Sequence, residues 1–274
     1  MAQAATIHAV SVRVGNNAML TVFSLWWREL VRFYRQRSRV VGVIASPLLF
    51  WIVIGSGFAN SFRSQGNGQH YLEFFFPGSL IMIVLFTSIF AMMSVIEDRN
   101  KGFLLSVLVA PVHRSAIVLG KVLGGATLST IQGLLFLIFA PAIGIHIGVS
   151  EWLLVFLIVF FISFALTALG FAIAWPMDSS QAFHAIVNLF LIPLWLLSGA
   201  LFPVNGASKW MAFIMRLNPL TYGMDALRAT LFPATAAESQ FSVGISLAIV
   251  GAFCVLVFAW SFIVANRRTT KPAA

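Results

Sequence analysis

The stretch Glu97–Lys121, EDRNKGFLLSVLVAPVHRSAIVLGK, decides how this chain is read. It opens polar and holds four of the seventeen basic residues: Arg99, Lys101, Arg114 and Lys121. On either side lie runs free of Asp, Glu, Lys and Arg, Phe74–Ile96 and Val122–Ile147. Each run is long enough to cross a hydrocarbon core of about 30 Å. A short basic segment between two such runs reads as a handle at a membrane surface, where a soluble partner could push on the part in lipid.

Composition supports that reading. The chain has 274 residues, 60% hydrophobic and only 9% charged, with a mean hydropathy of +0.95. A soluble domain of this size carries about a quarter charged residues, so the solvent for most of this chain is lipid. The net charge is +9. The basic residues cluster beside apolar runs, which points to topology and anionic lipid contact rather than nucleic acid. Cys254 is the single cysteine, so no intramolecular disulfide or cysteine-based metal cluster can form within one chain. Met1–Thr21 is polar and mixed, and no secretory signal is expected there. Gly120-Lys121 is followed by Val122 and lacks the upstream glycine of a phosphate-binding loop, so any use of ATP falls to another chain.

Working outward, a tail over 1–22 precedes a basic amphipathic segment, Phe23–Arg39. Phe23, Trp26, Trp27, Leu30 and Tyr34 form one face; Arg28, Arg32, Arg35 and Arg39 form another. That pattern predicts a helix lying in the membrane interface. Spans are predicted over about 40–62, 74–96, 122–147, 152–177, 182–202 and 241–265. Gly120-x-x-x-Gly124 could admit close helix contact. Asp178–Gln181 is a four-residue polar turn. The connector 204–240 has its own periodicity: Trp210, Phe213, Ile214 and Leu217 mark a short amphipathic helix, Asn218-Pro219 breaks it, and a second short helix follows to Leu231. Asp225 and Arg228, three apart, are able to pair. Thirteen Lys and Arg flank the spans on the side of the termini, including the tail 266–274, against four on the other. The positive-inside rule therefore places both termini in the cytoplasm.

No catalytic set is present in the sequence. Charged residues fall at run ends and in connectors, whereas ion-coupled carriers place ionisable groups at mid-membrane depth. Gln132 and Asn188 either face a substrate path or bond across helices. His146 and His184 sit near run ends and read as hydrogen-bonded or interfacial residues.

Two stretches resemble the type-2 ABC transporter permease family. The first is the handle, with Glu97, Gly102, Leu104, Leu108, Pro111, Arg114 and Gly120-Lys121 in the family's arrangement; Leu105 stands where the family often has an acidic residue. The second is Ser198-Gly199-Ala200-Leu201-Phe202-Pro203, then Trp210, Asn218-Pro219-Leu220-Thr221-Tyr222, Asp225 and Arg228. The resemblance in topology covers nearly the whole chain, read as one permease domain over 1–274.

The resemblance implies an all-α integral membrane protein of six transmembrane helices. It would carry an N-terminal amphipathic interfacial gate helix (Trp26, Trp27, Arg28, Arg32, Arg35, Arg39) and a cytoplasmic coupling region over 97–121, between spans 2 and 3. Glu97, Gly102, Leu104, Leu108, Pro111 and Arg114 would meet the ATPase, with Asp178 and Gln181 as a smaller contact. Short re-entrant helices between spans 5 and 6 would close the extracytoplasmic exit, with Ser198, Gly199, Pro203, Trp210, Asn218, Pro219, Tyr222, Asp225 and Arg228 as the gate. It further implies a bacterial inner-membrane location, two permease copies joined through the first and fifth spans, and a separately encoded ABC ATPase on each copy. ATP and Mg²⁺ would sit on that ATPase, with no cofactor in this chain. The expected function is export of a drug-like or lipid-like amphipathic cargo. Glycan export by the same family is one alternative, and a non-transporting membrane scaffold or assembly factor is another.

Overall fold

A computed structural model describes residues 18–57, 71–109, 112–145, 147–233 and 241–267. Pro111, His146, residues 58–70 and 234–240 and the side chain of Arg39 lie outside the described set. Every regular element among the described residues is helical.

Helix α1, Ala18–Arg35, begins five residues earlier than the amphipathic pattern predicts and stops at Arg35. Arg39 belongs instead to α2, Arg37–Gly57, which contains Pro47. Helices α3, Tyr71–Ala91, and α4, Met93–Asn100, run on from one another. Together they make a 30-residue unit, about 45 Å long at 1.5 Å per residue. The short α5, Phe103–Val109, follows. Next come α6, Arg114–Phe136, and its 3-10 extension Leu137–Ile143, which ends at Gly144. Helix α7 is Val149–Ala174. Helix α8, Ser180–Trp195, passes into a π-helical turn, Leu196–Ala200. The connector folds as α9, Lys209–Leu217, and α10, Pro219–Leu231, and α11, Val243–Asn266, ends the described chain.

Among the described residues, five helical units are long and apolar enough to cross a membrane: Tyr71–Asn100, Arg114–Ile143, Val149–Ala174, Ser180–Ala200 and Val243–Asn266. Among the described residues, the run expected over 40–62 supplies only the shorter apolar helix Ala45–Gly57. The third span corrects the expected boundary. Helix α6 starts at Arg114, not Val122, so Lys121 lies inside a transmembrane helix and not on a surface handle.

The centre of the bundle is α3 packed on α6 and α7, with Phe75, Phe76, Leu80, Ile81, Phe136 and Phe171 shut away from solvent. Phe76 and Phe136 stack at 4.8 Å between ring centroids, and Trp51 of α2 meets both rings edge-on. Helix α1 lies against α6 through the predicted small-residue seam. A Cβ on Gly120 would stand 2.9 Å from the Val22 carbonyl oxygen, and one on Gly124 would stand 2.8 Å from Cβ of Glu29. The two glycines let α1 approach close enough for its polar face to reach α4 and α6.

The outward faces of α8 and α11 differ in kind. Helix α11 presents Ile245, Val255, Leu256, Phe262 and Ile263, a surface suited to acyl chains. Helix α8 presents Leu189, Phe190 and Ile192 together with Gln181, His184 and Asn188.

Candidate functional site

The residues expected to carry function gather at the two ends of the α3–α4 unit. At the Asn100 end the organising residue is Asp98, fully buried. Its carboxylate accepts two bonds from Arg28, both 2.7 Å, one from Arg32 at 2.8 Å, and one from Lys121 Nζ. Lys121 also donates to Glu29 Oε1 at 2.5 Å and to Ser94 Oγ at 3.3 Å. Arg32 pairs with Glu97. Three cations and three anions from α1, α4 and α6 thus neutralise one another. Glu29, Asp98 and Lys121 are 3%, 0% and 1% exposed. A buried charge survives at neutral pH only when it is paired and hydrogen-bonded in this way. The hydrogen bond to Asp98 holds the Arg28 guanidinium above its ordinary pKa against the opposing effect of burial.

The cluster reorganises the expected gate-helix residues. Arg28 and Arg32 turn inward to Asp98, and the Arg28 guanidinium caps the Phe103 ring of α5 at 3.7 Å. Trp26 donates to Thr127 Oγ1 at 3.0 Å, while Phe23, Trp27 and Tyr34 stay exposed with Met19 and Leu20. Leu30, read with the apolar set, is buried, and Arg35 is exposed.

Beyond the cluster the chain turns at Lys101-Gly102. Gly102 has φ of 73°, a left-handed conformation that glycine adopts without the Cβ clash of other residues. The turn throws α5 outward. Leu104 is buried against the bundle, whereas Leu105, Leu108 and Val109 are exposed, Val109 at 87%. The apolar tip therefore comprises Leu105, Leu108 and Val109, and Leu104 anchors it. Glu97 faces Arg32, and Arg114 donates to the carbonyls of Ala265 and Asn266 at 2.9 and 3.3 Å, tying down the end of α11. Arg99 reaches the neighbouring turn, bonding Asp178 at 3.2 Å, the Met177 carbonyl at 2.9 Å and the Trp175 carbonyl. Gln181 is exposed one turn on.

Glu29, Ser94, Asp98 and Lys121 were not among the expected site residues. One sequence signal could have found them. Leu25, Glu29 and Phe33 recur at i, i+4 and i+8 on α1, which places a carboxylate on a buried apolar stripe and demands a cation opposite.

At the Tyr71 end, α8 breaks. Gly199 has φ of 85° inside the π turn, and the regular backbone ladder fails there. The expected gate residues converge on this break. Asn218 caps α10 by accepting from Leu220 N–H at 3.0 Å, and its Nδ2 donates to the Leu194 carbonyl at 2.6 Å. Arg228 donates to the Gly199 carbonyl at 2.7 Å and to the Phe74 carbonyl at 3.5 Å. Asp225 accepts from Phe241 N–H at 3.1 Å. Tyr222 donates to the Arg216 carbonyl at 2.8 Å. Ser198 is buried and donates to the Trp195 carbonyl at 2.6 Å. Pro219 is the first residue of α10, where its missing N–H is not needed. Trp210 and Pro203 are exposed and stand apart from the break.

The two path candidates separate. Gln132 is buried within the bundle and accepts from Thr87 Oγ1 at 2.6 Å, bonding α6 to α3. Asn188 is exposed on α8, four residues beyond His184, whose ring rests 4.8 Å from that of Phe90.

A buried charged hub thus lies beneath a projecting apolar tip at the Asn100 end of the α3–α4 unit. Residues 21–232 match the family model described as "ABC-2 type transporter". The chain is 29% identical over 249 residues to the putative transport permease ycf38 of Cyanophora paradoxa, covering 86% of each chain. It is 26% identical over 239 residues to the daunorubicin resistance ABC transporter permease protein DrrB1 of Streptomyces coeruleorubidus, covering 85% of this chain and 81% of that one. It is 24% identical over 273 residues to nodulation protein J of Neorhizobium galegae, covering 96% and 99%. The chain belongs to the ABC-2 type transporter family. It is a multi-pass membrane permease subunit, and permeases of this family pair with ABC ATPase subunits.

Proposed function

We propose that this permease crosses the membrane six times, with α2 and the residues after it as the first span and both termini in the cytoplasm. It works as a pair of copies, each bearing one ATPase, and exports an amphipathic drug-like or lipid-like cargo. The observation that carries the reading is the juxtaposition of the α5 tip with the Asp98 hub. Leu105, Leu108 and Val109 offer an apolar knob to a soluble partner. The helix bearing that knob holds Arg28 of α1 through Phe103, and Arg28 holds Asp98. A push on α5 is thereby delivered to α1, α4 and α6 together through bonded charges. The turn at Asp178, joined to α4 by Arg99, is a second seat for the same partner.

The face of α8 supports pairing through this helix. Asn188 and Gln181 on a transmembrane surface are costly against acyl chains, whereas a second copy or a passing cargo can hydrogen-bond them. The drug-related name of one relative and the nodulation-related name of another favour export of a molecule larger than an ion.

The test is purification of the permease with the ATPase encoded beside it, in nanodiscs, with a Leu105→Cys thiol cross-linked to that ATPase. Cross-linking in a two-plus-two complex, and ATP hydrolysis that candidate cargo stimulates, is the expected result. A chain that captures no ATPase from its own cell would return the scaffold reading to the front.

A further inference from the structure

Around the break in α8 five backbone carbonyls accept hydrogen bonds from side chains. Asn218 bonds Leu194, Ser198 bonds Trp195, Thr221 bonds Leu197 at 3.3 Å, Arg228 bonds Gly199, and Tyr71 bonds Leu201 at 3.2 Å. Asn218 is the cap of α10, and Thr221 and Arg228 lie seven residues apart on one face of it. Helix α10 is therefore the donor strip for a helix that cannot satisfy itself. Backbone groups in a bundle without water need such partners, so α10 and the broken turn are bound to move as one body.

That body meets α3 through Tyr71, which bonds Leu201, and at two further places. Trp195 donates to the Gly78 carbonyl at 2.9 Å, where a Cβ on Gly78 would stand 2.9 Å from the Ala200 carbonyl oxygen. A further joint is Arg228. While its guanidinium holds Gly199, it lies 4.0 Å from the Phe74 ring centroid and reaches the Phe74 carbonyl at 3.5 Å. The Gly199 bond is short and charge-assisted, whereas the reach to the Phe74 carbonyl is at the limit of a hydrogen bond. The Phe74 side is therefore the one that parts.

We propose that Arg228 is a positioning residue that latches the exit: it stays with the broken turn and closes the path by gripping Phe74 at the start of α3. This rests on reading the α9–α10 pair as the outer gate. Opening separates the cation from the ring and admits water to Gly199, whose carbonyl keeps its donor throughout. The latch thus releases without exposing an unpaired backbone group to lipid.

The test uses the single-cysteine background. Cys254 is buried, with its thiol 3.0 Å from the Phe161 carbonyl, and Cys254→Ser removes it conservatively. Ser198→Cys, at a position with no exposed surface, then reports opening to a membrane-impermeant thiol reagent added to intact cells expressing permease and ATPase. Slow labelling is expected with Arg228 in place, and labelling at least tenfold faster with Arg228→Ala. Arg228→Lys should fall between, because an ammonium can hold Gly199 but loses the planar stack on Phe74. If Arg228→Ala does not accumulate, Phe74→Leu decides: it spares the Gly199 bond and should still speed labelling several-fold. Wild-type protection in folded Arg228→Lys and Phe74→Leu proteins overturns the latch. Labelling only in inside-out vesicles overturns the outer-gate reading on which the latch depends.

Discussion

Lys121 and Glu29 are 92 residues apart in the chain and meet at 2.5 Å inside the bundle, both almost wholly buried. Neither charge is tolerable there without the other. Lys121→Met leaves Glu29 and Asp98 facing each other with less compensation, and breaking a buried pair from one side costs about 3–5 kcal/mol. The expected outcome is a large loss of monodisperse protein on heating, followed by fluorescence-detected gel filtration. Combining Lys121→Met with Glu29→Gln should recover part of that loss, since the stranded charge is removed as well.

The seating of α1 depends on the absence of a side chain at Gly124. Gly124→Leu forces its Cβ to within 2.8 Å of Glu29 Cβ, and the branched side chain beyond it has no room. Overpacking of this kind costs about 1–3 kcal/mol. Here it should also lift α1 off α6, separating Arg28 from Asp98. Faster proteolysis within α1 in nanodiscs, with the α6–α7 core still protected, is the expected readout.

Gly102 allows a sharper separation of stability from coupling. No atom lies within 4 Å of a Cβ there, so Gly102→Val makes no clash, but φ of 73° places it in the left-handed region. That conformation costs about 1–2 kcal/mol for a residue with a Cβ, and relaxing it re-aims α5. The variant should fold and insert normally while cargo-stimulated ATP hydrolysis falls several-fold. Gly102→Asn should be milder, because asparagine tolerates the left-handed region. Equal hydrolysis in all three proteins would remove the tip of α5 from the coupling path.

Asn188 makes the opposite prediction. It is exposed on α8, so Asn188→Ala should change stability by no more than about 0.5 kcal/mol. Transport of cargo, or cross-linking between copies through α8, should nevertheless change. Gln132→Leu should behave in reverse, because its side chain joins α6 to α3 and is hidden from any path.

Much of the fold was legible in the pattern of charges. Long runs without ionisable groups mark α3, α6, α7, α8 and α11, because backbone in lipid must close its own hydrogen bonds and only helices of that length do so in a single segment. The clustering of Ser198 to Arg228 was legible because it is local: a glycine, a broken helix, and most of the donors at the break lie within about thirty residues. The sequence also marked Gly120 and Gly124, though not what they receive. The Asp98 hub was harder to read for the converse reason, with only the carboxylate on the buried stripe of α1 to hint at it. Glu29, Asp98 and Lys121 look like three unrelated charges near run ends, and Lys121 reads as a handle residue until the start of α6 is seen at Arg114.

By itself, then, the sequence determined that the chain is helical and lives in lipid, since composition and run length fix which solvent each segment can bear. The tertiary structure decided which charges are surface and which are core. Pairing Lys121 with Glu29 and Asp98 requires α1 to lie on the glycine seam of α6, and α4 to continue α3 past the bundle's end. Coulomb attraction falls with distance and is screened wherever water intrudes, so Glu29, Asp98 and Lys121 hold one another only once packing has brought them within bonding reach and shut the solvent out.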